Sequence, residues 1–62
     1  MWLKTRVRDD EGTLTLWTAE EDEAMVFRKA GEAKRMLRLL QSEVKRPERL
    51  QVLNPRWRVI VQ

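Results

Sequence analysis

Hydrophobic and polar residues alternate along the first third of the chain, and a period of two is typical of a β-strand. The alternation runs through residues 2–8 and returns in residues 13–18. The polar stretch 9–12 between them ends in a glycine, which adopts the positive φ that short hairpin loops need. Residues 2–18 are therefore predicted to form a β-hairpin.

The spacing of apolar residues changes to that of an amphipathic helix in the middle of the chain. The pattern predicts a helix from about Ala30 to Val44, which ends before Pro47 because the residue before a proline is disfavoured in the α region. Ahead of it, Thr18 and Glu21 have the spacing of a capping box and predict a short helical turn. Residues 24–27 fit either the end of that turn or a short strand. The apolar stripe of the main helix consists of Ala33, Leu37, Leu40 and Val44.

Residues 56–61 alternate once more and are predicted to form the last strand, whereas residues 50–53 fit either a connector or a strand. The simplest assembly is a single α+β domain over residues 1–62, a ββαβ unit. In it one amphipathic helix packs on a three-stranded, mostly antiparallel sheet of order 2-1-3, with the last strand beside the first. The predicted core consists of Leu3, Val7, Leu14, Leu16, Phe27, Ala33, Leu37, Leu40, Val44, Trp57, Val59 and Val61.

One helix covers one face of a sheet, so the other face must meet water or a partner. By the alternation, that face carries basic side chains interleaved with Trp2 and Trp17 and no acidic residue. Arg and Lys neutralise phosphates, and a Trp ring stacks on a base for about 1–3 kcal/mol. Trp and Arg are also enriched in protein interfaces. The candidate residues for binding a protein or a nucleic acid are Lys4, Arg6, Arg8, Trp17, Arg56 and Arg58.

A structural explanation competes with this one, because charged strands also serve solubility and oppose edge-to-edge aggregation. A shift of register by one residue would moreover invert the whole face.

The composition removes several kinds of chemistry. The chain has 62 residues, no Cys and no His, which excludes disulfides, thiolate nucleophiles and imidazole bases. No motif for a cofactor is present, and the acids of residues 20–23 point around a helical turn rather than converging on a metal ion. We expect no enzymatic activity, no cofactor, no metal and no small-molecule substrate. No apolar stretch reaches the ~20 residues of a membrane span, and the lack of Cys predicts a reducing, cytoplasmic setting.

Residues 24–37 (AMVFRKAGEAKRML) follow the hairpin with a Phe, a turn and a Glu-Ala pair that opens the helix. The layout resembles the arm-site DNA-binding domains of phage-type integrases, and equally small phage proteins with the same hairpin–Phe–Glu-Ala–helix order. The resemblance covers residues 2–42 and implies a three-stranded sheet that faces DNA. The chain departs from it where Ala30-Gly31 replaces a Thr-led cap and where a strand follows the helix, and these 62 residues include no recombinase domain. The residues that carry the resemblance are Phe27, Glu32 and Ala33.

Two functions follow as hypotheses. The preferred one is a phage or mobile-element accessory protein that docks on a host protein complex, such as a polymerase, nuclease or defence machine, and inhibits or modulates it. The alternative is a small DNA- or RNA-binding protein that uses the basic, Trp-containing face. A homodimer formed through the edge of the final strand is left open.

Overall fold

The computed structural model describes all 62 residues and contains one helix and four strands. Two short 3-10 turns, Glu21–Glu23 and Pro47–Arg49, lie between the larger elements. The strands and the helix, in chain order, are β1 (Trp2–Asp9), β2 (Gly12–Thr18), α1 (Ala30–Gln41), β3 (Leu50–Leu53) and β4 (Arg58–Val61).

All four strands belong to one antiparallel sheet of order β2-β1-β4-β3. The α+β class, the hairpin and the position of the last strand beside the first are confirmed. The prediction of three strands is wrong, because residues 50–53 form a strand that pairs with β4 along its outer edge. Two residues of this strand, Leu50 and Val52, pair with Val61 and Val59 and pack in the core with them.

The helix begins at Ala30, as the sequence predicts, but it ends at Gln41 rather than near Val44. The Ser42 hydroxyl donates to the Leu39 carbonyl, and the Val44 N–H still reaches the Leu40 carbonyl, so the chain leaves the helix through one loose turn. Val44 stays packed against the core from this turn. The apolar stripe thus continues three residues beyond the regular helix.

Residues 19–29 link β2 to α1, and we call them the crossing segment. The segment passes over the sheet face opposite α1, which we call the open face. The Thr18 hydroxyl accepts a hydrogen bond from the Glu20 N–H and donates one to the Glu23 carboxylate. The Met25 N–H then donates to the Leu3 carbonyl, and Phe27 forms an isolated bridge with Trp57. Residues 24–27 are therefore neither a helical turn nor a full strand, and the carboxylate that meets Thr18 is that of Glu23 rather than Glu21.

The core is small and lies between α1 and the β1–β4–β3 part of the sheet. It is centred on Leu3, Leu40, Leu50 and Val59. Ala33 is also fully buried, as the sequence predicts. Half-buried apolar side chains pack against this centre, among them four of the predicted core residues. Those four are Phe27, Leu37, Val44 and Val61. Trp57, also predicted for the core, is half-buried but does not pack against this centre.

Candidate functional site

The β1–β2 hairpin contains an irregularity that decides which side chains face outward. Leu3 pairs with Trp17 and Thr5 pairs with Leu16, so Lys4 has no partner on β2. Such a β-bulge adds one residue to one strand, and the alternation of side chains shifts by one beyond it. From Thr5 to the tip, the β1 side chains on the helix side of the sheet are therefore those that a regular strand would place on the opposite side.

The helix side of the hairpin holds Trp17 and a polar group beyond it. Trp17 packs against the core centre, and a shallow depression between hairpin and helix is lined by Trp17, Thr13, Thr15 and Leu40. The Arg6 guanidinium donates to the Glu43 carboxylate at 2.5 Å, and the Thr15 hydroxyl donates to the same carboxylate at 3.1 Å. On this side, the Arg6–Glu43–Thr15 group therefore ties the hairpin to the turn that follows α1.

The open face of the hairpin carries three exposed aliphatic side chains, which we call the apolar hairpin face: Val7, Leu14 and Leu16. They are 49%, 58% and 41% exposed, respectively. Val7 pairs directly with Leu14, and Leu16 lies two pairs closer to the base of the hairpin, on the same face. The prediction that these three residues belong to the core is wrong, because the bulge at Lys4 puts Trp17 on the core face together with Leu3 and turns Val7, Leu14 and Leu16 to the opposite face.

The predicted basic face is likewise not one surface. Arg6 and Trp17 lie on the helix side, and Arg8 shares their face because it pairs with Thr13. Their assignment to the open face is wrong for the same reason, namely the bulge. Of the remaining candidates, Lys4 occupies the bulge, Arg56 is exposed in the turn before β4, and Arg58 lies on the open face as predicted.

Arg58, the one strand arginine on the open face, contacts both an aromatic ring and a carboxylate. The guanidinium of Arg58 lies 4.7 Å from the centroid of the Trp2 ring, a cation–π contact. It also forms an ion pair with Glu21, although the sequence places that acid in a solvated turn. Because Glu21 is mostly exposed and Arg58 mostly covered, this pair anchors the crossing segment to β4 and leaves little free positive charge on the open face.

The pKa of Glu43, two residues after the end of α1, is shifted by its hydrogen-bond partners. The hydrogen bond from Arg6 is the largest cause that lowers the pKa of Glu43 below its ordinary value of 4.5. Desolvation raises this pKa, and the hydrogen bond from Thr15 and the positive charge of Arg6 lower it. The net direction is downward, so the folded state favours the ionised carboxylate.

We expect the stability of the protein to fall in acid through Glu43. Its pKa is lower in the folded than in the unfolded state, so its contribution is fully present above about pH 4.5 and is lost as the pH falls through the lower, folded-state value. Urea unfolding midpoints measured between pH 7 and pH 3 test this. In Glu43→Gln the fall should be shallower than in the parent protein, and equal slopes would contradict the assignment.

The rest of the surface offers no converging chemistry. No group of three or more carboxylates is placed to hold a metal ion, and no helix has the length and apolar character needed to cross a membrane. Another depression lies between the crossing segment and the turn before β4, lined by acids of residues 20–22 and by Arg56 and Arg58. The apolar hairpin face is therefore the most distinctive exposed feature.

No protein family, no curated protein and no solved structure matches this chain. The resemblance to integrase arm-site domains and to small phage proteins accordingly stays a prediction from the layout of the sequence.

Proposed function

We propose that this chain is a non-enzymatic binding module that docks on a protein partner through its apolar hairpin face. The observation that carries the proposal is the exposure of Val7, Leu14 and Leu16 together on one face of an ordered hairpin. Contiguous exposed apolar side chains are a solubility burden for a small protein, and where they occur they commonly mark an interaction site.

The hairpin suits docking because it is preformed. Full burial of a wholly exposed leucine or valine gains about 1.5–3 kcal/mol, and these side chains, which are about half exposed, would each gain about half of that. Ordered strands lose little backbone freedom on binding, so less of that gain is lost to entropy than in a flexible loop.

The surroundings of the apolar hairpin face favour a partner with positive charge at its rim. The tip of the hairpin is acidic in residues 9–11, and the crossing segment at its base is acidic in residues 20–23. An apolar patch with acids at both ends fits a partner surface in which apolar side chains are flanked by Lys or Arg, since complementary charge steers encounter and fixes orientation.

Nucleic acid, the alternative partner, receives less support from the same geometry. Arg6 and Arg58 lie on opposite faces of the sheet, and each is paired with a carboxylate. Binding of phosphate would have to displace those carboxylates before counterion release could contribute. The narrower role of an inhibitor or modulator of a host complex in the cytoplasm rests on the resemblance to small phage-encoded proteins.

The test compares three forms of the full chain as bait: the parent, a Leu14→Gln/Leu16→Gln double variant, and a Leu39→Gln control. Leu39 is 49% exposed on α1, so its replacement alters a comparable apolar side chain outside the hairpin. A protein captured by the parent is purified, and its affinity for all three forms is measured by calorimetry. We expect the double variant to lose at least about tenfold in affinity, equivalent to 1.4 kcal/mol, and the control to retain the parent value.

Two results would overturn this proposal. One is equal affinity of the parent and the double variant for the purified protein. The other is recovery of nucleic acid alone, with binding to a mixed-sequence duplex that weakens steeply with salt and does not change in the double variant.

A further inference from the structure

The outer edge of β2 lacks the protection that edge strands commonly have. β2 is the terminal strand on its side of the sheet, and over Gly12–Thr18 it has no charged residue and no proline. The bulge of the hairpin lies on β1 rather than on β2. Natural proteins blunt long edges with charges, prolines, bulges or short strands, because an unpaired row of N–H and C=O groups recruits another strand. The opposite edge of the sheet, β3, is only four residues long.

The backbone shows which groups β2 presents to a new strand. The Leu3 carbonyl accepts a hydrogen bond from Met25 on the side away from β2. The backbone N–H and C=O of Leu3 therefore point away from β2, so Leu3 and Trp17 are a non-hydrogen-bonded pair. In such a pair the N–H and C=O of Trp17 point outward as well, from the free edge of β2. Because the direction alternates along a strand, Thr15 and Thr13 present their groups outward as well.

We propose that the occupant of this edge is a second copy of the chain, paired antiparallel through β2 with the two-fold axis at Thr15. Thr15 then faces Thr15 of the second copy, and Leu14 faces Leu16 of the second copy. Trp17 faces Thr13 of the second copy. The two four-stranded sheets become one sheet of eight strands (twice four). This inference stands apart from the proposed docking function, because it needs no other protein.

The sequence of β2 is self-complementary in this register. A two-fold interface brings the same patch of each copy together, so it forms most readily where that patch carries no charges that would repel each other. Here no charge enters the strand pair, and two leucines from each copy meet on the open face, next to both copies of Val7. The apolar hairpin faces of the two copies become continuous, and each covers part of the other.

The single chain exposes more surface than a folded monomer of its mass usually does, which is consistent with a face that a second copy covers. The protein exposes 4841 Å². Folded monomers of 7.5 kDa expose about 4,200 Å² by the usual scaling of area with mass, so the excess is roughly 600 Å². The projecting hairpin accounts for an excess of this kind, because its distal half has α1 on neither face. Only seven of the 62 residues are buried, and a thin core of this kind gains from a partner that buries more.

Charges at the two ends of the β2–β2 interface determine whether salt strengthens or weakens dimerisation. Gly12 lies opposite Thr18 of the second copy, which brings Glu11 near Glu20 of the second copy at both ends. Their repulsion opposes pairing and is screened by salt. Dimerisation is therefore expected to strengthen between 20 mM and 500 mM salt, whereas binding of phosphates would weaken over the same range.

The first test is the mass of the full chain in solution, measured by sedimentation or light scattering over a range of concentrations. We expect 15 kDa, twice the chain mass of 7.5 kDa, at high concentration. Thr13→Pro removes one outward N–H and should shift the protein to 7.5 kDa, whereas the matched Thr13→Val variant, which keeps the N–H, should remain dimeric. A mass of 7.5 kDa for the parent at millimolar concentration would overturn the proposal, as would a dimeric, folded Thr13→Pro.

A second test does not depend on how the proline variant folds. The chain has no cysteine, so Thr15→Cys introduces a single thiol on the proposed axis. The two Cα atoms would lie about 5.5 Å apart in a hydrogen-bonded antiparallel pair, so a short thiol-specific cross-linker reaches from one Cys to the other. The cross-linker should join Thr15→Cys into dimers much faster than Gln51→Cys, a control whose exposed side chain lies on β3. Equal rates would place the edge of β2 outside any interface, whatever the result of the docking experiment.

Discussion

Replacement of Leu40 by alanine is expected to remove a large part of the free energy of unfolding at 25 °C. Leu40 is completely buried at the centre of the core, where it packs with Leu3, Leu50 and Val59. Truncation of a buried leucine costs about 2–5 kcal/mol, through lost apolar burial and the cavity left behind. A domain of 62 residues has about 3–9 kcal/mol of stability in total, at 0.05–0.15 kcal/mol per residue. Urea unfolding followed by circular dichroism measures the loss.

The adjacent leucine provides a matched control for this prediction. Leu39 has the same side chain and the same helix, but it is 49% exposed. Leu39→Ala should change the free energy of unfolding by less than about 0.5 kcal/mol, as most exposed substitutions do. Similar losses in the two variants would mean that α1 is rotated relative to the sheet described above.

Replacement of Trp17 by alanine is expected to cost about 2–3 kcal/mol, whereas replacement of Leu16 should cost less than about 1 kcal/mol. A fully buried tryptophan loses about 3–5 kcal/mol on truncation, and Trp17 is half-buried against the core, so its loss should be smaller. Leu16 is 41% exposed and pairs with Thr5 on the open face, where little apolar contact is removed.

The ranking of these two variants separates the bulged hairpin from a regular one. In a regular hairpin with the alternation of the sequence, Leu16 would lie in the core and Trp17 in solvent, so the larger loss would fall on Leu16. Unfolding should be monitored by circular dichroism, because the removal of Trp17 changes the fluorescence itself. A greater loss in Leu16→Ala would refute the register of the hairpin and the apolar hairpin face with it.

The parts of the fold that were predicted correctly have strong periodic signals. The stripe that includes Ala33, Leu37 and Leu40 fixes both the helix and the face it buries. Alternation in the last strand places Val59 and Val61 in the core and Ile60 on the open face. By contrast, β3 has only four residues, too few for a periodic pattern to distinguish a strand from a connector.

The hairpin faces could not be predicted from alternation, because a bulge has no reliable sequence signature. The pattern of β2 contains one indication of the conflict. Leu16 and Trp17 are adjacent large apolar residues, so one of them has to face away from the core in any register. Alternation assigned that position to Trp17. The structure assigns it to Leu16, since the larger Trp17 ring and Leu3 cover the core together.

The loss of the predicted basic face has a second cause besides the bulge. Arg6 is paired with Glu43 and Arg58 with Glu21, and the members of each pair are 37 residues apart in the chain. Contacts at such a separation depend on the tertiary arrangement and leave no local pattern. The number of basic residues along each strand is therefore larger than the number of free positive charges on the open face.

The core and the apolar hairpin face both depend on which hairpin side chains face α1, and nuclear Overhauser contacts of the Trp17 indole report this placement. The structure predicts contacts from the indole protons to the methyl groups of Leu40 and Val44, with which Trp17 lines the helix side of the hairpin. It also predicts that the methyl groups of Leu14 show contacts to Val7 across the hairpin and none to α1. Contacts from Leu14 and Leu16 to Leu40, with none from Trp17, would contradict this placement of the hairpin side chains.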